Sequence, residues 1–83
     1  MDQTTQTTDQ SVLQRINELV DQEHRMLARE TKSQEDEAQL RALQVELDQC
    51  WDLLRQRRAL RTVGQDADKA QIRPPETVEK YEQ

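Results

Sequence analysis

The chain has 83 residues, a formal net charge of -5, and 33% hydrophobic against 35% charged residues. A chain that small and polar excludes a second domain and a large self-sufficient core, because domains of this size bury little apolar surface. The acidic balance opposes nucleic acid and anionic membranes in bulk, and no stretch reaches the ~20 consecutive apolar residues of a membrane span.

A single cysteine leaves no internal disulfide. The first ten residues, MDQTTQTTDQ, lack the apolar segment of a signal peptide, so the expected setting is cytoplasmic and reducing. With one tryptophan, one tyrosine and no phenylalanine, a platform for stacking bases is nearly absent. Residues 1–10 read as a mobile, solvated arm. Phosphorylation of Thr4, Thr5, Thr7 or Thr8 is the regulatory alternative to plain solvation.

From Ser11 the pattern changes. Val12, Leu13, Ile16, Leu19, Val20 and Leu27 recur at steps of three and four, which is one stripe of a helix at about 11–30. Asp9 or Ser11 is expected to cap its start. Thr31-Lys32-Ser33 breaks the pattern. Ser33 then reads as a fresh N-cap, Asp36 approximates a capping box with it, and Glu35, Asp36 and Glu37 sit at the positive end of the helix dipole. The second helix runs to about Val63. Its Leu40, Leu43, Leu47, Cys50 and Leu54 fall at steps of 3, 4, 3 and 4, a heptad seam flanked by Trp51. Gly64 supplies the stop, where positive φ is commonly needed. Residues 65–83 form a polar, irregular tail with a short helix expected near 75–81, since proline suits the first helical position. Ile72, Val78 and Tyr81 are its only large apolar residues; either they pin the tail to the bundle or the tail is loose.

Two amphipathic helices joined by about three residues lie antiparallel. The expected fold class is therefore all-α, an antiparallel, coiled-coil-like two-helix hairpin over 11–64. With the turn at Lys32, residue i faces roughly residue 64 − i. The expected core sets Leu13, Ile16, Val20 and Leu27 against Leu40, Leu43, Leu47, Cys50, Trp51 and Leu54. The second helix is the longer by about ten residues, or ~15 Å, so Leu54, Leu60 and Val63 lack an apolar partner within the hairpin. Either the tail turns back at Gly64 to cover them or a second subunit does. The expectation is a homodimer of hairpins forming a four-helix bundle, with no membrane contact.

Few side chains suggest chemistry. Cys50 occupies a seam position and reads as a small buried hydrophobe, since Asp48 and Asp52 oppose thiolate formation. His24 reads as a seam histidine satisfied by a neighbour such as Glu37. The Asp21-x-x-His24 spacing hints at a bundle metal site, but such sites require further inward carboxylates and a second histidine. Glu23 falls near the seam and requires a partner such as Arg41. Asp48 and Asp52 lie one turn apart and read as a solvated face. No glycine-rich phosphate loop or seryl elbow occurs. The chain is thus expected to be no enzyme and to hold no catalytic, cofactor or metal site.

Arg55, Arg57, Arg58 and Arg61 are the candidate partner-binding residues. Four charges on phosphate support modest, salt-sensitive binding. The acidic background argues against nucleic acid, and Arg57 continues the heptad of Leu54, so it points into the bundle. Pairing with Glu35-Asp36-Glu37 of a second copy explains the cluster, as does an acidic protein partner.

The segments INELVDQEH at 16–24 and VELDQCWDLLRQRRALR at 45–61, with LRAL at 40–43 and IRPPETVEKY at 72–81, resemble an uncharacterised family of short actinobacterial helical proteins, a domain of unknown function. The resemblance covers about residues 11–82. The turn departs from it, because family members carry a longer, more glycine-rich connection. It implies a small cytoplasmic bacterial protein and no activity, cofactor or site residue. The expected role is a noncatalytic helical interaction or adaptor protein that self-associates through its leucine seams. The alternative is a nucleic-acid- or ribosome-associated accessory protein using the arginine end.

Overall fold

The computed structural model describes residues 7–81, with side chains described through Val78. Four elements follow in order: α1 (Asp9–Leu27), α2 (Gln34–Thr62), a 3₁₀ turn (Ala67–Lys69) and α3 (Pro75–Tyr81). The described residues contain no strand. Of the expected arm, residues 1–6 lie outside the described part, while Asp9 and Gln10 are helical.

Both long helices begin with a reciprocal cap. Thr8, rather than Asp9 or Ser11, caps α1: its hydroxyl accepts from the Ser11 N–H at 3.0 Å, and the Ser11 hydroxyl accepts from the Thr8 N–H at 2.9 Å. Ser11 thus occupies the third helical position of a capping box, a place where Glu or Gln is usual, which hid the true start by two residues. Ser33 caps α2 as expected, accepting from the Asp36 N–H at 3.0 Å while the Asp36 carboxylate accepts from the Ser33 N–H at 3.2 Å. That backbone bond, together with the Arg29 guanidinium, holds the Asp36 carboxyl below the usual carboxylate range. Gly64 ends α2 with φ of 77°. The Gly64 N–H donates to the Arg61 carbonyl and the Gln65 N–H to the Leu60 carbonyl. These two bonds make a Schellman motif, whose left-handed residue favours glycine.

The two long helices pack against each other as an antiparallel hairpin. Arg15 meets Glu46, Glu23 meets Gln44, and Asp9 meets Arg57, a register within three residues of the one expected. The rotation of α1 about its own axis differs. Val12, Ile16, Leu19 and Met26 are its buried residues, whereas Leu13 is 37% and Leu27 50% exposed. The reason is visible in the sequence. Val12-Leu13, Leu19-Val20 and Met26-Leu27 are adjacent apolar pairs repeating every seven residues. Adjacent helical residues point ~100° apart, so either member of each pair can form the seam. The first members do, and Val20 packs at the edge of the core. On α2 the seam is Leu43, Leu47, Cys50 and Leu54, with Leu40 at its margin and Leu53 added. Trp51 stands outside it at 39% exposure.

The tail covers part of the excess length of α2, where Leu54 is buried, Leu60 half-buried and Val63 exposed. It turns back at Gly64, and the 3₁₀ turn and α3 both contact α2. Val78 is fully buried, whereas Ile72 and Val63 are exposed, and Tyr81's side chain lies outside the described part. Since the seam of α2 already faces α1, the tail lies along its other flank, and α2 is the middle of three elements.

The candidate interaction surface

Arg57 joins three segments. It is 6% exposed, and its Nε donates to Asp9 Oδ1 at 2.7 Å, while Nη1 donates to Asp68 Oδ1 at 3.0 Å and to the Ala67 carbonyl at 3.4 Å. Arg61 Nη2 donates to the same Asp9 oxygen at 2.9 Å. The first turn of α1, the last turns of α2 and the 3₁₀ turn are therefore tied at one point. Arg61 and then Arg57 hold the Asp9 carboxyl down to about 2. Of the four candidate partner-binding arginines, Arg57 is buried in these pairs, Arg61 is engaged in one, and Arg55 and Arg58 are exposed. Arg57 points inward as the heptad demands. Asp9 and Asp68 of its own chain are its acidic partners. Asp36, of the Glu35-Asp36-Glu37 group, is itself paired with Arg29 at 2.8 Å.

A second ion pair fixes the tail, and here the structure corrects the sequence reading. Asp52 is fully buried, not part of a solvated face. Its carboxylate accepts from Arg73 Nε at 2.9 Å, from Arg73 Nη2, and from Gln56 Nε2 at 2.9 Å. Arg73 and then Gln56 lower its pKa. Gln56 also clamps the tail backbone from both sides of its amide, donating to the Gln71 carbonyl at 2.7 Å and accepting from the Gln71 N–H at 3.3 Å. Gln49 Nε2 donates to the Arg73 carbonyl at 3.1 Å. Residues 49, 52 and 56 lie three and four apart, one stripe on the flank of α2 away from α1. A polar stripe reads as solvated until its partner is known. The signal available in the sequence was the lone Arg-Pro-Pro of the tail, an arginine held in extended backbone before a helix start.

The remaining candidates resolve simply. Cys50 is buried, and burial, then Glu46, push its thiol pKa up against the opposing Arg15. His24 is exposed on the outer side of α1, not in the seam, and Asp21 pairs with Arg25 rather than with it. Glu23 is half-buried and accepts from Gln44 Nε2 at 3.2 Å, so its partner is Gln44 and not Arg41. Among the described residues no group of three potential metal ligands forms, and no helix is long and apolar enough to cross a membrane.

Among the described residues, one face of the hairpin carries exposed apolar side chains, with the Glu23–Gln44 hydrogen bond crossing it. Leu13, Val20 and Leu27 recur every seven residues and form a stripe ~80° around α1 from its seam. On α2, Leu40 and Trp51 are turned away from the seam in the equivalent sense. Because the helices run antiparallel, the two rotations bring both sets to the same side of the hairpin. Polar contacts confirm the sidedness: Arg15 and Glu46 meet across one face and Glu23 and Gln44 across the other. By the register, Leu13 lies at the level of Trp51 and Leu27 at that of Leu40, with Val20 between. Among the described residues, the tail lies along the edge of α2 away from α1 and leaves Leu13, Leu27 and Trp51 exposed.

Comparison with known proteins agrees with an uncharacterised actinobacterial lineage. The chain is 46% identical over 78 residues to the uncharacterized protein Rv0898c of Mycobacterium tuberculosis, covering 89% of this chain and 90% of that one. The same figures hold for the uncharacterized protein Mb0922c of Mycobacterium bovis. No solved structure matches the chain. Residues 8–83 match the family described as protein of unknown function (DUF2630), a span that begins at the Thr8 cap and includes both the Asp9–Arg57 tie and the Asp52–Arg73 pair, and the chain belongs to that family.

Proposed function

We propose that the chain is a small noncatalytic helical interaction protein that associates with its own kind through leucine-bearing helix faces. The observation that carries this reading is the open stripe on one side of the hairpin, where Leu13, Leu27 and Trp51 are between 37% and 50% exposed. Scattered apolar residues need no explanation, but an aligned group on a rigid scaffold marks a surface that another molecule covers. The noncatalytic part is supported by how the reactive-looking groups are used. Asp52 pairs with Arg73, Arg57 pairs with Asp9 and Asp68, and Cys50 is packed away with its pKa raised. A reducing, cytoplasmic setting suits that buried thiol. The nucleic-acid reading loses ground because Arg57 and Arg61 are committed to Asp9.

Sedimentation at micromolar concentration tests the proposal, with filter binding to nucleic acid in parallel. The expected result is a mass above the 9.8 kDa of one chain and no nucleic-acid retention at moderate salt. A 9.8 kDa species at every concentration removes self-association. Retention that falls steeply with salt, and with Arg55 and Arg58 replaced, establishes the nucleic-acid reading instead.

A further inference from the structure

The open face has an internal symmetry that specifies its occupant. Leu13 and Leu27 stand seven residues either side of Val20. A two-fold axis at the level of Val20, lying in the plane of the face and perpendicular to α1, lays α1 of one copy antiparallel on α1 of the next. Val20 then meets Val20, and each Leu13 meets the Leu27 of the other copy. The same operation brings Trp51, level with Leu13, to the Leu27–Leu40 end of the second copy. Charges follow suit. The Val20 level falls near residue 45 of α2, as the contacts of Arg15 and Glu23 with Glu46 and Gln44 require. Arg55 and Glu37 lie on the open side at nearly equal distances beyond that level. The axis therefore sets the cationic end of one face on the anionic end of the other, twice. A two-fold interface must be self-complementary in this way.

We infer that the occupant of the Leu13–Val20–Leu27 face is a second copy of this chain, docked antiparallel about a two-fold axis at Val20, with Arg55 against Glu37 at both ends. This rests on the proposed self-association and adds its face and geometry. The size is sufficient for a modest dimer. A face as long as α1, ~28 Å, and two helices wide, ~20 Å, covers ~560 Å² per copy. The total of ~1,100 Å² clears the roughly 1,000 Å² expected of a specific contact and stays near the lower end of stable ones. The complex is thus expected to dissociate on dilution through the micromolar range.

Cysteine cross-linking in a Cys50→Ala background tests the geometry, with circular dichroism confirming the helical content of each variant and sedimentation reporting mass. Val20→Cys is expected to form a disulfide-linked dimer with itself. Leu13→Cys and Leu27→Cys are expected to link poorly alone and well when mixed. A charge reversal supplies a second readout. Arg55→Glu is expected to weaken the dimer about tenfold, since the pair occurs twice, and Glu37→Arg is expected to restore it. A dimer in which Leu13→Cys links to itself, or in which Val20→Cys does not link, overturns the antiparallel arrangement while leaving self-association standing. A chain of one-copy mass at all concentrations overturns both.

Discussion

The Asp52–Arg73 pair makes a prediction that depends on which partner is removed. In Asp52→Ala, the guanidinium that remains is on a side chain 36% exposed, so water can solvate it. The loss is then that of charge-assisted hydrogen bonds to a carboxylate, about 2 kcal/mol. In Arg73→Ala, what remains is a carboxylate at 0% exposure, with Gln56 as its hydrogen-bonding neighbour in the clamp. An unpaired buried charge costs about 3–5 kcal/mol, unless the tail lifts and lets water in. The cost is therefore capped by the docking energy of the tail, and the tail is what gives way. Removing both partners relieves the buried charge, so the double variant Asp52→Ala/Arg73→Ala is expected to be more stable than Arg73→Ala alone. Chemical denaturation followed by circular dichroism measures the stabilities, and limited proteolysis within residues 65–81 reports the tail. Each kcal/mol also moves the melting temperature of a chain this size by about 4–8 °C. Strictly additive effects, or an Arg73→Ala change within about 0.5 kcal/mol of an exposed Arg41→Ala control, would refute the assignment.

Three further outcomes follow from the same contacts. Asp9, Asp36 and Asp52 all have carboxyls lowered on folding; their stabilisation is fully present above the unfolded value of about 4 and is lost as pH falls through the folded values. Wild type is therefore expected to lose its stability advantage over Asp9→Asn between pH 4 and about 2, where Asp9 itself titrates, and an advantage unchanged over that interval would contradict the Arg61–Asp9–Arg57 tie. Cys50 is expected to react with a thiol reagent far more slowly in the native chain than in denaturant, because burial both hides it and raises its pKa; equal rates would place it outside the seam. Gly64→Ala is expected to cost about 1 kcal/mol from the left-handed backbone alone, since a methyl there meets nothing within 4 Å; a neutral result in thermal melts would mean that the turn rearranges.

Much of the hairpin was legible because its determinants are local. Ser33 with Asp36, Gly64, and the heptad of Leu43, Leu47, Cys50 and Leu54 each act within a turn or two of chain, and each appears where its chemistry places it. The rotation of α1 was not legible. With Val12-Leu13, Leu19-Val20 and Met26-Leu27 repeating as pairs, the hydrophobic periodicity is satisfied by two faces, and only tertiary packing selects one. That same ambiguity, once resolved, is what leaves a second leucine stripe facing water. The tail clamp was hidden for a different reason. Gln49, Asp52 and Gln56 read as polar surface, and their tail partners, Gln71 and Arg73, lie 15 residues or more away along the chain. Polar burial is specified by pairs at a distance, which no window on one helix reveals.

The most direct test of the open face uses the tryptophan already on it. Trp51 is the sole tryptophan of the chain, and in one copy it stands 39% exposed beside Leu13. Its emission therefore reports that surface without any substitution. On dilution through the micromolar range, the emission maximum is expected to shift to longer wavelength as Trp51 returns to water, with a midpoint matching the fall in sedimenting mass. An emission maximum that stays constant while the mass halves would show that the copies meet elsewhere, and the account of this face would be wrong.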